Sequence, residues 1–379
     1  MLDPDDDHAC VRALLGVHDL ADGVVVCLAA PGSPWPVLAR DVLLALGKDR
    51  RALDAAGPRS SAPGLLELWL RAEQVHHLVV LRAHLLPFST LAAVDRLAVA
   101  TGVQVWRVAH GPLHSARTPT TLPWPAMLAL LTVPTAADRQ KPTAEEQYAT
   151  VRDLAARAGR AWRIYTERTR IRARKVRPDC ALGVLLQNLT IDAHDGDDLL
   201  LRLHAARVGL RDAGLHLVLP ALATDTRLLG YLGPRFSPET VTRLRRLACP
   251  LAVGALTLAR ATDSSAPWLA KTRLDWTDPC GRHVRAYTGT FRVPPQARPM
   301  LRALLLDRAS RDDPPPALFI GRDGKALLGR RLAHRIRAGA DLAGLPAGEA
   351  AIPREKCYTP ETFATTFTGA TNLQPRSKH

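Results

Sequence analysis

Three observations predict an α/β N-terminal domain built on a parallel sheet, followed by a mainly α region and an α+β C-terminal part. Between residues 20 and 111 short apolar runs alternate with helix-periodic stretches, the pattern of βαβ units. From residue 143 helical periodicity and basic side chains dominate. Beyond residue 236 helical runs enclose short strand-like pieces near residues 290 and 318.

The elements follow in order. Residues 24–28 form a continuous apolar run, a buried strand, and 37–46 the helix after it. Residues 65–72 are helical and 78–81 a second strand. Residues 88–101 are helical again, closed by Gly102, before a third strand at 103–109. Residues 112–142 are rich in Pro and Thr and read as a linker with one short apolar helix. Thr143 with Glu146 three residues on makes a capping box for a long helix. Two helices flank the loop 192–198, whose one His and four Asp read as a turn cluster rather than a metal site, because their spacing fits neither zinc nor an EF-hand. Ser237-Pro238 opens another helix. A strand near 290–293, a helix at 298–309, a turn at 321–324 and a helix at 328–343 ended by Gly344 complete the chain.

Composition narrows the function. With 47% hydrophobic residues the 379-residue chain can bury real cores. Its formal net charge is +15, and of 51 basic residues 7 are Lys and 44 Arg. Arginine in excess suits bidentate contact with phosphate, an acidic protein partner, or simply a high-GC coding bias. Six Cys at 10, 27, 180, 249, 280 and 357 have no paired spacing and read as reduced thiols. Asp3, Asp5, Asp6 and Asp7 are the opposite of a signal peptide, and no apolar run is long enough to span a bilayer. The expected place is the cytoplasm, with the nucleoid.

The junction Ala29-Ala30-Pro31-Gly32-Ser33-Pro34-Trp35-Pro36 lies where a P-loop ATPase carries its phosphate-binding loop. This N-terminal part resembles the P-loop ATPase helpers found beside transposases, with both motifs erased. The pattern would place Gly at 29 and 34, Lys at 35 and Ser or Thr at 36, whereas the chain has Ala29, Pro34, Trp35 and Pro36. The second strand runs into Leu81 and Arg82 where the family has its acidic magnesium ligand. No cofactor and no ATP hydrolysis are expected; an ordinary α/β domain is the alternative.

Phe291-Arg292-Val293-Pro294, then Leu318-Phe319 with Gly324, then Ala343-Gly344-Leu345 follow the order of landmarks in tyrosine recombinases, the phage-integrase family. The C-terminal part resembles that family's catalytic domain. Its chemistry needs a Tyr nucleophile and Arg, Lys and His around the scissile phosphate. By position the first arginine falls near Ser265, with Trp268 for the family's Glu, and the hairpin lysine near Thr290. Cys357, Pro360 and Glu361 stand for the His, Arg and His, and Tyr358 lies on the wrong side of that segment. No catalytic residue is expected to survive.

The organisation read from these pieces is a degenerate ATPase-like domain at 1–115, a linker at 116–142, a basic helical domain at 143–235, a recombinase-like domain at 236–345 and a divergent tail at 346–379. The favoured function is non-catalytic binding of duplex DNA in a mobile-element context. An active or decayed recombinase and a basic adaptor for an acidic protein are the alternatives. The expected partners are DNA and a protein of a recombination or transposition complex, with no membrane. The DNA-contacting residues are Arg160, Arg163, Arg168, Arg170, Arg172, Arg174, Lys175 and Arg177 in one basic run, with Arg292, Arg330, Arg331 and Arg335. The basic run equally fits a solvated helix face with Trp162 in the core. In the last helix Leu328, Leu332, Ile336, Ala340 and Ala343 form one stripe expected to pack, with the arginines off it.

Overall fold

The computed structural model describes residues 8–55, 61–109, 123–131, 143–171, 178–215, 235–262, 264–286, 289–311, 316–321 and 323–345. The protein is mixed α/β, mainly helical, with a three-stranded parallel sheet and a separate two-stranded hairpin. It divides into two compact units, the first holding residues 1–140, 245–253 and 302–310, the second the remainder. No described helix is long and apolar enough to cross a membrane.

Along the first 140 residues the elements are α1 (His8–Gly16), β1 (Val24–Leu28), α2 (Trp35–Ala45), α3 (Arg50–Ala55), α4 (Ala62–Glu73), β2 (His77–Leu81), α5 (Phe88–Thr101), β3 (Gln104–Arg107) and α6 (Trp124–Leu131). The sheet order is β1-β2-β3, with Val24 opposite His77 and His77 opposite Gln104. Val24, Val25, Val26 and Cys27 are all buried, which is why β1 reads as an unbroken apolar run rather than an alternating one. Helix α2 starts two residues earlier than the periodicity suggests, because prolines fit the first turn of a helix. Helix α5 covers the expected span and ends on Gly102 in the left-handed region, φ 74°. Met127 and Leu131 of α6 join the core formed by Val24, Val26, Val79, Leu81 and Val108.

The remaining elements are α7 (Ala144–Ile171), α8 (Pro178–Thr190), α9 (Gly196–Asp212), α10 (Pro238–Arg245), α11 (Pro250–Thr262), α12 (Ala266–Leu269), β4 (His283–Ala286), β5 (Gly289–Arg292), α13 (Arg298–Ala309) and α14 (Gly329–Ala343). The capping box of α7 forms in both directions: the Thr143 N–H donates to Glu146 Oε2 at 2.8 Å and the Glu146 N–H to Thr143 Oγ1 at 3.2 Å. Ser237 Oγ accepts from the Thr240 N–H at 3.2 Å, capping α10. Helices α7 and α9 pack through Val151, Ala155, Leu203, Ala206 and Leu210. They approach so closely that a Cβ on Gly209 would lie 2.0 Å from the Arg152 carbonyl oxygen.

The hairpin pairs β4 with β5 in antiparallel register, Val284 opposite Phe291. Only β5 carries an obvious strand signal. Asn188 of α8 grips β5 from the side, its Nδ2 donating to Thr290 O at 2.9 Å and its Oδ1 accepting the Arg292 N–H at 2.8 Å. One expectation fails here. Leu328 is 73% exposed and Leu327 takes the buried place, because α14 begins one residue later and Leu328 is its extended cap residue.

Candidate nucleic-acid interface

Helix α14 presents the clearest basic face. Leu332, Ile336, Gly339, Ala340 and Ala343 are buried, so the apolar stripe fixes the rotation of the helix. Gly329 at its start lies against Pro267, leaving no room for a Cβ, which would fall 2.9 Å from Pro267 Cα. At the other end Gly344 adopts φ 63°, and Arg243 Nη1 donates to its carbonyl at 2.6 Å. A cation there complements the negative end of the helix dipole.

That held rotation leaves Arg330, Arg331, Arg335 and Arg337 exposed. Among the described residues none of the four is within ion-pair distance of a carboxylate. Arg330 and Arg331 occupy the first turn, which holds no acidic residue and no side-chain cap. Cations at the positive end of a helix are misplaced unless an anion joins them, and the free N–H groups there favour one.

The second basic group surrounds the hairpin. Arg292 of β5 pairs with Asp192 at 3.2 Å. Asp192 also takes Arg202, and Arg202 Nε reaches Asp198 at 2.8 Å. Arg202 is buried; burial works against its charge, but the hydrogen bonds and charges of Asp198 and Asp192 hold its pKa above the ordinary arginine value. Asp195 accepts the Asp198 N–H at 2.8 Å and so caps α9. These bonds absorb the Asp-rich loop into structure, and among the described residues no group of His, Cys, Asp or Glu could hold a metal ion.

Two more arginines stand by Arg292. Arg282 bonds Asp278 through its Nε at 3.1 Å, and this bond draws the Asp278 pKa below the usual carboxylate value. Arg298, half-buried at the start of α13, donates its Nε to Val293 O at 3.2 Å. Sequence reasoning missed both. Nothing in their spacing announces a shared location; both bond the Val293 backbone, Arg282 through its carbonyl and Arg298 through its Nε.

The basic run of α7 is a different case. Arg160 is exposed, whereas Arg157 pairs with Asp153 at 3.0 Å and Arg152 with Asp212 at 2.8 Å. Arg163, Arg168 and Arg170 lie on the α7 backbone, but their side chains fall outside the described residues, as do Arg172, Arg174, Lys175 and Arg177 entirely. Arg322 and the tail 346–379, with Cys357, Tyr358, Pro360 and Glu361, also lie outside them.

Comparisons with known proteins return no match: no family model fits the chain, and no curated protein or solved structure is significantly similar to it.

Part of the backbone of the junction after β1 is bonded internally. The Gly32 N–H donates to Leu85 O at 2.9 Å and the Ser33 N–H to Ala30 O at 3.2 Å, so two donors of the loop are engaged internally. The buried Thr90 hydroxyl donates to Ser33 O at 3.0 Å and pins the loop to α5.

Proposed function

We propose that this chain is a non-catalytic protein that binds duplex DNA through arginine–phosphate contacts, of the kind that serves mobile elements. One observation carries the reading. Arg330 and Arg331 crowd the uncapped N-terminal turn of α14, and with Arg335 one turn on they remain exposed and, among the described residues, without a carboxylate. Internal packing gives no reason to gather positive charge at the positive end of a helix dipole; a phosphate backbone does. Contacts of this type position a protein on the duplex without reading bases, so sequence preference is weak.

The finer reading is that residues 1–115 form a degenerate P-loop ATPase-like domain and 236–345 a degenerate tyrosine-recombinase-like domain. Parallel pairing of β1 with β2 and a loop leading directly into α2 support the first. A hairpin followed by α13, a turn at Gly324 and α14 ending at Gly344 supports the second. Neither region has the residues its chemistry would need, which is why binding rather than strand cleavage is proposed.

The test is a fluorescence-anisotropy titration of a random-sequence duplex across a salt series. Arg331→Ala with Arg335→Ala weakens binding to all sequences alike and lowers the slope of log affinity against log salt by about two. Folding is nearly unaffected, since exposed substitutions change stability by about 0.5 kcal/mol or less. A flat salt response of the unaltered protein would refute DNA binding and favour an acidic protein partner.

A further inference from the structure

We propose that Arg282, Arg292 and Arg298 form a seat for a single phosphate group, supplied by the sugar-phosphate backbone of a nucleic acid, at the open end of the β4–β5 hairpin. The nucleic-acid source rests on the function proposed above; the seat itself does not.

Backbone geometry gathers the three side chains. The Val293 N–H donates to Arg282 O at 2.8 Å, closing the hairpin, and Arg298 reaches back to Val293 O at 3.2 Å. Arg292 is the residue before Val293, so all three arginines are anchored at or beside Val293. The support beneath them is stiff. Asn188 bonds β5 at both Thr290 and Arg292, and Gly289 sits against Val184, where a Cβ would come within 3.2 Å.

The charge balance around this point is incomplete. Among the described residues four guanidiniums, Arg202, Arg282, Arg292 and Arg298, stand with three carboxylates, Asp192, Asp198 and Asp278. Asp198 is fully engaged, its Oδ1 by Gln147 and Arg202 and its Oδ2 by the His194 N–H. Asp278 Oδ2 holds both the backbone N–H and Nε of Arg282. Asp192 is divided between Arg202 and Arg292. Among the described residues Arg298 is left with a neutral carbonyl as its one hydrogen-bond partner. Its pKa is lowered by burial, then by the like charges of Arg292 and Arg282, against the smaller opposing pull of Asp278 and Asp192.

A monoanion with two acceptor oxygens supplies what is missing. A phosphodiester accepts from planar guanidinium forks, and fork geometry matches phosphate better than an ammonium does. One positive charge of the group is unmatched, and a phosphodiester, a monoanion with two non-bridging acceptor oxygens, would match it.

The experiment uses the full chain, with Arg282→Gln plus Arg298→Gln compared with the unaltered protein. Arg292 is retained because Asp192 needs it. The probes are a fluorescein-labelled random duplex in a salt series and inorganic pyrophosphate by titration calorimetry. The expected result is roughly 8-fold weaker duplex binding at 0.1 M salt, with a salt slope reduced by about one, as for one phosphate, and loss of pyrophosphate binding. A folded double variant with unchanged duplex affinity, slope and pyrophosphate binding overturns the seat while leaving DNA binding by α14 intact. If the unaltered protein binds pyrophosphate but no duplex, and the variant binds neither, the seat holds and its nucleic-acid source falls. Should the double variant fail to fold, Asp278→Asn releases Arg282 and raises duplex affinity several-fold; no gain overturns the seat.

Discussion

Lys48 should make the stability of the first unit depend on pH in a window where few other side chains titrate. It follows Gly47 at the end of α2 and is 3% exposed. Its ammonium lies 3.0 Å above the Trp69 ring centroid, and its Nζ has no hydrogen-bond partner among the described residues. Burial lowers its pKa to about 7, against the opposing charge of Glu73 and with the like charge of Arg245. The sign follows directly. Between about pH 7 and 10.5 the unfolded chain holds a proton on Lys48 that the folded chain releases, so stability rises with pH across that window, is lost progressively as pH falls from 10.5 to 7, and changes no further below 7. The full difference is about 5 kcal/mol, at roughly 1.4 kcal/mol for each unit, of which about 2 kcal/mol appears between pH 7 and 9. His18 and His77, both lowered by burial, act below this range. Cys27, pushed up to about 12 by burial and then Asp41, opposes stability only above pH 9. Lys48→Met keeps the stem over Trp69 and removes the charge. Denaturant unfolding at pH 6.5, 7, 8 and 9 should show the variant more stable than the parent at low pH, with the gap closing by about 2 kcal/mol toward pH 9. Parallel pH curves for the two proteins would refute the reasoning and place Lys48 in contact with water.

Two further expectations follow from close packing and from the loop after β1. Gly209→Ala forces α7 and α9 apart, because the added carbon would lie 2.0 Å from a backbone oxygen; thermal unfolding should show a loss of about 1–3 kcal/mol or more, despite a gain in helix propensity of up to about 1 kcal/mol. Magnesium-ATP should give no heat in calorimetric titration at micromolar to submillimolar concentrations, since Gly32 and Ser33 direct their N–H groups inward and prolines at 31, 34 and 36 supply none; micromolar affinity would contradict this account of the loop.

What the sequence revealed depended on whether local chemistry carried the message. Strand β1 is a run of four buried residues, α5 ends on a glycine in the left-handed region, and Thr143 meets Glu146 across three residues. Each signal lies within a few positions, so each could be read. Strand β4 could not, because His283, Val284, Arg285 and Ala286 include one strongly apolar β-former; its pairing with β5 comes from the tertiary structure. Losing β4 also hid the meeting of Arg282 with Arg292 and Arg298. Lys48 was equally silent. Its burial depends on Trp69, whose Nε1 donates to Ala248 O at 2.9 Å across 179 positions, and on Arg245, which pairs with Glu73 at 3.4 Å.

Charge counted along the sequence also misjudges which arginines can act. A guanidinium already matched by a carboxylate releases little on meeting phosphate, because one ion pair is exchanged for another and both were solvated or screened beforehand. Arg157 and Arg152 are in that position, paired with Asp153 and Asp212. Arg292 is so in part, since its Asp192 is also drawn to Arg202. Among the described residues Arg330, Arg331 and Arg335 are not, and neither is Arg298. The salt slope of DNA binding should therefore be governed by α14 and the hairpin end more than by the described part of α7, although α7 has the denser run of basic residues. The density of arginine in a stretch measures how much charge the chain carries; the placement of aspartate and glutamate decides how much of it is available.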